Sequence, residues 1–218
     1  MDKQKILLAG KIASEVRNYA KTIVKKNIPL LEIAEKIEKK IIELGGKPAF
    51  PVNLSIDNIA AHYTPFPDDK TLAKGLLKID FGVQIDGWIS DTAFSVDLEN
   101  SYENRKLIQA SEDALKNAID LIRNSLNLNS NFHNLKANEG EGERFRGRSI
   151  ASNSTSCEVG RKVREFKKIG EGKNPLKTKS TNEITTSEIG KVIQETIESH
   201  GFSPIINLSG HSMEKYDL

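Results

Sequence analysis

The sequence predicts an α/β domain in which one antiparallel hairpin is backed by amphipathic helices. Three observations carry this expectation. Alternating runs flank Asp86-Gly87 within residues 79–98, the pattern of two strands joined by a two-residue type I′ turn. Residues 6–24 place Ile6, Ala9, Ala13, Val16, Ala20 and Ile23 at helical spacing. Leu30, Ile33, Ala34, Ile37, Ile41 and Leu44 repeat that spacing in the next segment.

Whole-chain properties narrow the class. With 218 residues the chain suits one domain of ordinary size with an appendage. A net charge of +2 is nearly balanced and gives no reason to expect nucleic acid as a specific partner. The lone Cys157 rules out an internal disulfide framework and suits a reducing compartment. No stretch has the length of a membrane-spanning helix, and the N-terminus lacks a signal-peptide pattern. The expected location is the cytoplasm.

In chain order, the first helix over 6–24 turns a lysine-rich face outward, and Pro29 opens the second. Gly45-Gly46 stops it. Residues 45–65 read as strand and loop, with prolines bracketing Phe50, and 67–69 as a loop. After the hairpin, Ser101 can cap a third helix running from about 103 to 123, with Leu107, Ile108, Ala114, Leu115, Ala118 and Ile122 inward. A fourth helix over 187–200 is expected to bury Ile189, Val192, Ile193 and Ile197 and to end at Gly201. The helix dipole accounts for His200 in its last turn. A short strand over 204–208 then leads to Ser209-Gly210-His211.

Residues 124–186 stand apart. They are rich in Asn, Ser, Gly, Lys and Arg, with sparse apolar residues, so they bury too little to offset the entropy of ordering them. Within them, 158–169 carries Val159, Val163, Phe166 and Ile169 at helical spacing among Arg and Lys. Such a helix binds RNA or another anionic partner, or is simply a solvated surface helix.

The chemistry-bearing residues gather on the hairpin. Across a two-residue turn, Ile85 faces Trp88, Val83 faces Ser90, Gly82 faces Asp91 and Asp80 faces Ala93. Ile79, Phe81, Val83 and Ile85 then share a core face with Trp88, Thr92, Phe94 and Val96. Asp80 and Asp91 become diagonal neighbours on the other face, with Cα atoms roughly 7–8 Å apart. Gly82 and Ala93 leave space beside them. Two carboxylates that close need a cation or a raised pKa. A pair of divalent metals roughly 3.5–4 Å apart fits such a gap. A solvated sheet face with two unrelated aspartates gives the same pattern. His62, between alanines and Tyr63, is by itself equally a packed structural histidine.

Together, PAFPVNLSIDNIAAHYTP (48–65), IDFGVQIDGWISDTAFSVDL (79–98) and PIINLSGHSMEKYDL (204–218) resemble the type 2 methionine aminopeptidases of the short, archaeal-type form. The likeness covers 6–123 and 187–218. It implies the pita-bread α/β fold, two pseudo-symmetric halves with metals between them, here as the first half plus the start of the second. It implies Asp80 as ligand of one metal, Asp91 bridging both and His211 binding the other. His62 would contact the substrate near the scissile bond and stabilise the transition state. The implied reaction removes the initiator methionine from nascent proteins whose second residue is small, by hydroxide generated on the two divalent metals. Mn, Fe, Co and Zn all suit the mixed oxygen and nitrogen donors.

Two departures qualify this resemblance. The family pattern also needs two glutamates and a second histidine, and that histidine would follow Leu218 directly. The family has a short loop where this chain has 124–186. The expected organisation is therefore 1–123 as the N-terminal half, 124–186 as a flexible basic insert and 187–218 as the start of a truncated second half. The expected product is a monomeric metallo-exopeptidase chain of weak or no activity, acting on nascent N-termini with the ribosome as a further partner. A non-catalytic homologue that binds protein or RNA is the alternative.

Overall fold

The hairpin around Asp86-Gly87 forms the spine of the sheet. The computed structural model describes residues 1–134, 184–206 and 210–217. Strands β3 (Leu76–Ile85) and β4 (Trp88–Asp97) pair antiparallel in the expected register, from Ile85 opposite Trp88 to Asp80 opposite Ala93. Asp86 and Gly87 both have positive φ, 49° and 86°, as a type I′ turn requires. Two short strands, β1 (Lys47–Pro48) and β2 (Asn53–Ile56), pair with β3 along its other edge. These are the strand segments expected between 45 and 65.

Helices α1 (Lys3–Ile23) and α2 (Leu30–Glu43) cover one face of that sheet. The reason is the stripe on each helix. Ala9, Ala13, Val16 and Ala20 of α1, with Ile33, Ile37 and Ile41 of α2, meet Leu54, Ile79, Phe81 and Val83, all fully or almost fully buried. Small residues on α1 let its backbone lie close to the strands, and apolar burial of this extent is the main driving force for the layer. Because β2 and β3 residues directly opposite share a face, Asn53 and Ser55 fall on the uncovered side with Asp80 and Lys78.

Helix α3 (Tyr102–Asn134) begins where expected, with Ser101 Oγ accepting a hydrogen bond from the Asn104 backbone N at 3.4 Å. It continues past the expected end at 123, because 124–134 contains neither Gly nor Pro to stop it. Its inward stripe is Ala110, Ala114 and Ala118, while Leu115 is 61% exposed. Helix α4 (Thr186–Ser199) packs against α3. None of Ile189, Val192, Ile193 and Ile197 is fully buried, correcting the expected stripe, since α3 covers them from one side only. Residues 204–206 form no strand; 207–208, most of 124–186 and the candidate helix 158–169 lie outside the described residues.

Helix α4 starts at a capping box that the sequence carried as Thr185 and Glu188. The Thr185 Oγ1 accepts from the Glu188 backbone N at 3.2 Å, and the Glu188 carboxylate accepts from the Thr185 N at 2.8 Å. With so little burial behind it, α4 depends on this cap. Thr185→Ala is expected to lower stability by about 0.5–1 kcal/mol, measured by urea denaturation.

Candidate metal and substrate site

Asp80 and Asp91 come together on the sheet face that α1 and α2 leave uncovered. The hairpin register sets this, with Asp80 opposite Ala93 and Asp91 opposite Gly82. The Asp91 carboxylate is close enough for its charge to act on Asp80. Burial first, and then the negative charge of Asp91, push the Asp80 carboxyl up to about 6, while the charge of His62 pulls in the opposite direction. The hairpin register brings two of the four expected site residues, Asp80 and Asp91, to one sheet face, while His62 is exposed on the segment that follows β2.

Gly82 does not leave the open space expected of it. The Pro48–Val83 pairing carries the chain back over the hairpin, and Ala49 N donates to the Gly82 carbonyl at 2.9 Å. A Cβ on Gly82 would stand 2.5 Å from the Phe50 ring and 2.8 Å from the Ala49 Cβ. Glycine is needed there so that Phe50 can lie on the sheet beside the carboxylates. The open space is beside Ala93 instead. A cavity of about 290 Å³ runs between the hairpin and α3, lined by Arg17, Lys78, Asp80, Ala93, Phe94 and Leu115 among others.

His211 is placed differently from the other three. It is exposed, its Nδ1 lies 3.1 Å from the Ser212 carbonyl oxygen, and it follows 207–209, which are outside the described residues. Just beyond it the chain hooks onto the hairpin tip, where Tyr216 N donates to the Gly87 carbonyl at 2.9 Å. Among the described residues, no group of three or more His, Cys, Asp or Glu side chains is gathered closely enough to hold a metal ion. Asp80 and Asp91 nevertheless suit a divalent cation. They are an oxygen pair crowded enough to raise a pKa, and a bound cation would relieve the crowding. They fit as part of a ligand set.

The sequence reading missed the residues that tie down the His62 segment: Asn53, Ser55, Tyr63, Asp69 and Thr71. Asn53 and Ser55 had a signal, since they alternate with Leu54 and Ile56 as the polar positions of a short strand. Asp69 and Thr71 had none, because their contacts to Tyr63 lie within one irregular connection that has no periodic pattern. His200 has a partner beyond the helix dipole, with its Nε2 lying 3.1 Å from the Asp113 carboxylate on α3.

The description Metallopeptidase family M24 matches residues 4–179. A methionine aminopeptidase of Pyrococcus horikoshii is 36% identical over 220 residues, which is 100% of this chain and 54% of that protein. One of Methanocaldococcus jannaschii is 39% identical over 217 residues, 99% of this chain and 53% of its own length. One of Methanothermus fervidus is 35% identical over 228 residues, and here the aligned region covers 90% of the relative. The chain thus spans about half the length of the first two relatives. Among solved structures, the methionine aminopeptidase of Rickettsia prowazekii matches with a TM-score of 0.48 and 26% identity, over 53% of this chain and 50% of that one.

Proposed function

The chain belongs to metallopeptidase family M24, and from that premise we propose that it is a metal-dependent aminopeptidase chain of the methionine aminopeptidase type 2 kind. It has the α/β pita-bread architecture of that family over about half the length of its longer relatives. No helix among the described residues is long and apolar enough to cross a membrane. The substrate class we infer is the N-terminus of nascent polypeptides with a small second residue.

A single observation carries the reading: the hairpin register brings Asp80 and Asp91 to one sheet face that α1 and α2 leave uncovered. Asp80 and Asp91 would hold divalent cations through their carboxylate oxygens, with Mn, Fe, Co and Zn all compatible. When bound, such cations supply Lewis acidity and a water acidic enough to attack at neutral pH. The residues of the chain do the rest. His62, exposed on the segment tied to β2, would donate to the oxygen of the scissile amide as negative charge develops there. Phe50, held on the sheet by Gly82, gives the site an apolar wall for a methionine side chain. His211 would join as a ligand only if its exposed segment folds towards Asp91.

The test is release of methionine from a Met-Gly-Met peptide by residues 1–218 with excess Co or Mn, against a peptide with a bulky second residue. Release that needs the metal and prefers the small second residue supports the reading. Release that is indifferent to EDTA or to the N-terminal residue sinks it.

A further inference from the structure

His62 holds a left-handed backbone conformation with φ of 66°, and its side chain is exposed. A non-glycine residue keeps that conformation only where its surroundings fix it. The residues before it, Ala60 and Ala61, are too small to do so. The residue after it is bonded at every polar atom. Tyr63 N donates to Ser55 Oγ at 3.3 Å, and its carbonyl accepts from Leu54 N at 2.7 Å. Its phenol donates to Asp69 Oδ2 at 2.8 Å and lies 3.2 Å from Thr71 Oγ1.

These bonds run to two independent parts of the scaffold. Ser55 is 2% exposed, sits on β2 and pairs with Lys78 of β3, two residues from Asp80. Asp69 is fixed by the Thr71 backbone N at 2.8 Å, and Thr71 in turn accepts from Leu30 N at 2.9 Å, where α2 begins. The backbone of Tyr63 is thus tied to the strand beside Asp80, and its ring to the layer of helices behind.

We propose that Tyr63 is the positioning residue of the site, clamped by Ser55 on one side and Asp69 on the other so that His62 stays beside Asp80. The inference rests on the reading of His62 and Asp80 as one site. A tyrosine that only stabilises the fold would make the same bonds, but its loss would leave the two site residues coupled.

The test is a double-substitution cycle read by NMR on the His62 ring of the full chain, at one fixed pH and without metal. Asp80→Asn shifts the ring resonances of His62 in the chain that carries Tyr63. In Tyr63→Phe, which keeps the ring but loses both phenol contacts, the shift caused by Asp80→Asn is expected to fall by about threefold or more. Asp69→Ala is expected to do the same, and Asp69→Asn, whose amide can still hydrogen-bond the phenol oxygen by donating to it while accepting from Thr71 N, to restore most of it. An undiminished shift in Tyr63→Phe or Asp69→Ala overturns the proposal, as does the absence of any shift in the parent. Since neither peptide nor metal is used, methionine release that is indifferent to EDTA with the coupling intact counts against the aminopeptidase reading alone.

Discussion

Residues 1–218 are expected to release methionine from Met-Gly-Met about a thousandfold or more slowly than a full-length methionine aminopeptidase. The described residues bring the two carboxylates of Asp80 and Asp91 together, with Asp91 exposed, and gather no group of three or more metal-binding side chains. Catalytic groups and their metals need placement to within about 0.5 Å, and a misplacement of about 1 Å costs on the order of a hundredfold. The site also opens into a cavity of about 290 Å³ beside Ala93 rather than closing over the substrate. Water left in such a site weakens each electrostatic contribution to the reaction. Stopped assays with excess Co or Mn, analysed by chromatography of free methionine, give the rate. Turnover equal to that of the full-length Pyrococcus horikoshii protein would mean that further ligands come from residues outside those described, or from a second copy of the chain.

The second large effect is on stability. Asp80 titrates at about 6 in the folded chain against 3.8 ordinarily, because it is half-buried and faces Asp91. The folded chain therefore binds more protons than the unfolded one between about pH 4 and 6, and stability falls as pH rises through that window. Above it the charged carboxyl is a standing cost. Asp80→Asn keeps the shape and removes the charge. At pH 7.5 it is expected to stabilise the metal-free chain by about 1–2 kcal/mol, after discounting for solvent screening of a half-exposed group. At pH 3.5 the gain should nearly vanish, since Asp80 is then protonated in the folded state and mostly protonated in the unfolded one. Thermal melts at the two pH values measure this, and destabilisation at pH 7.5 would show that the crowding is absent.

The sequence made the hairpin legible because three signals agreed: the Asp-Gly turn, the period-two alternation and a buried face of Ile79, Phe81, Val83 and Phe94. Register then followed by arithmetic, and with it the meeting of Asp80 and Asp91. The position of His62 was legible only through the family resemblance. Its approach to Asp80 depends on a loop held by Tyr63, Ser55 and Asp69, whose contacts span separate segments and leave no periodic trace. Gly82 misled for a related reason. A missing side chain marks either empty space or a neighbour in close approach, and Phe50 and Ala49 made it the second. The third helix runs past 123 because 124–134 holds neither Gly nor Pro, and sparse apolar content alone does not end a helix. The fourth helix showed its stripe, but a stripe does not say how much of it a neighbour covers.

Binding of Mn to the metal-free chain at pH 7.5, followed by calorimetry and by the thermal midpoint, tests most directly whether Asp80 and Asp91 form a metal half-site. The parent chain should bind the ion and melt higher, by an amount equal to about 2.7 kcal/mol at a hundredfold excess over the dissociation constant. The double variant Asp80→Asn, Asp91→Asn should lose both the binding heat and the shift. An equal shift in parent and double variant, or none in the parent, would contradict the assignment of these two aspartates as metal ligands.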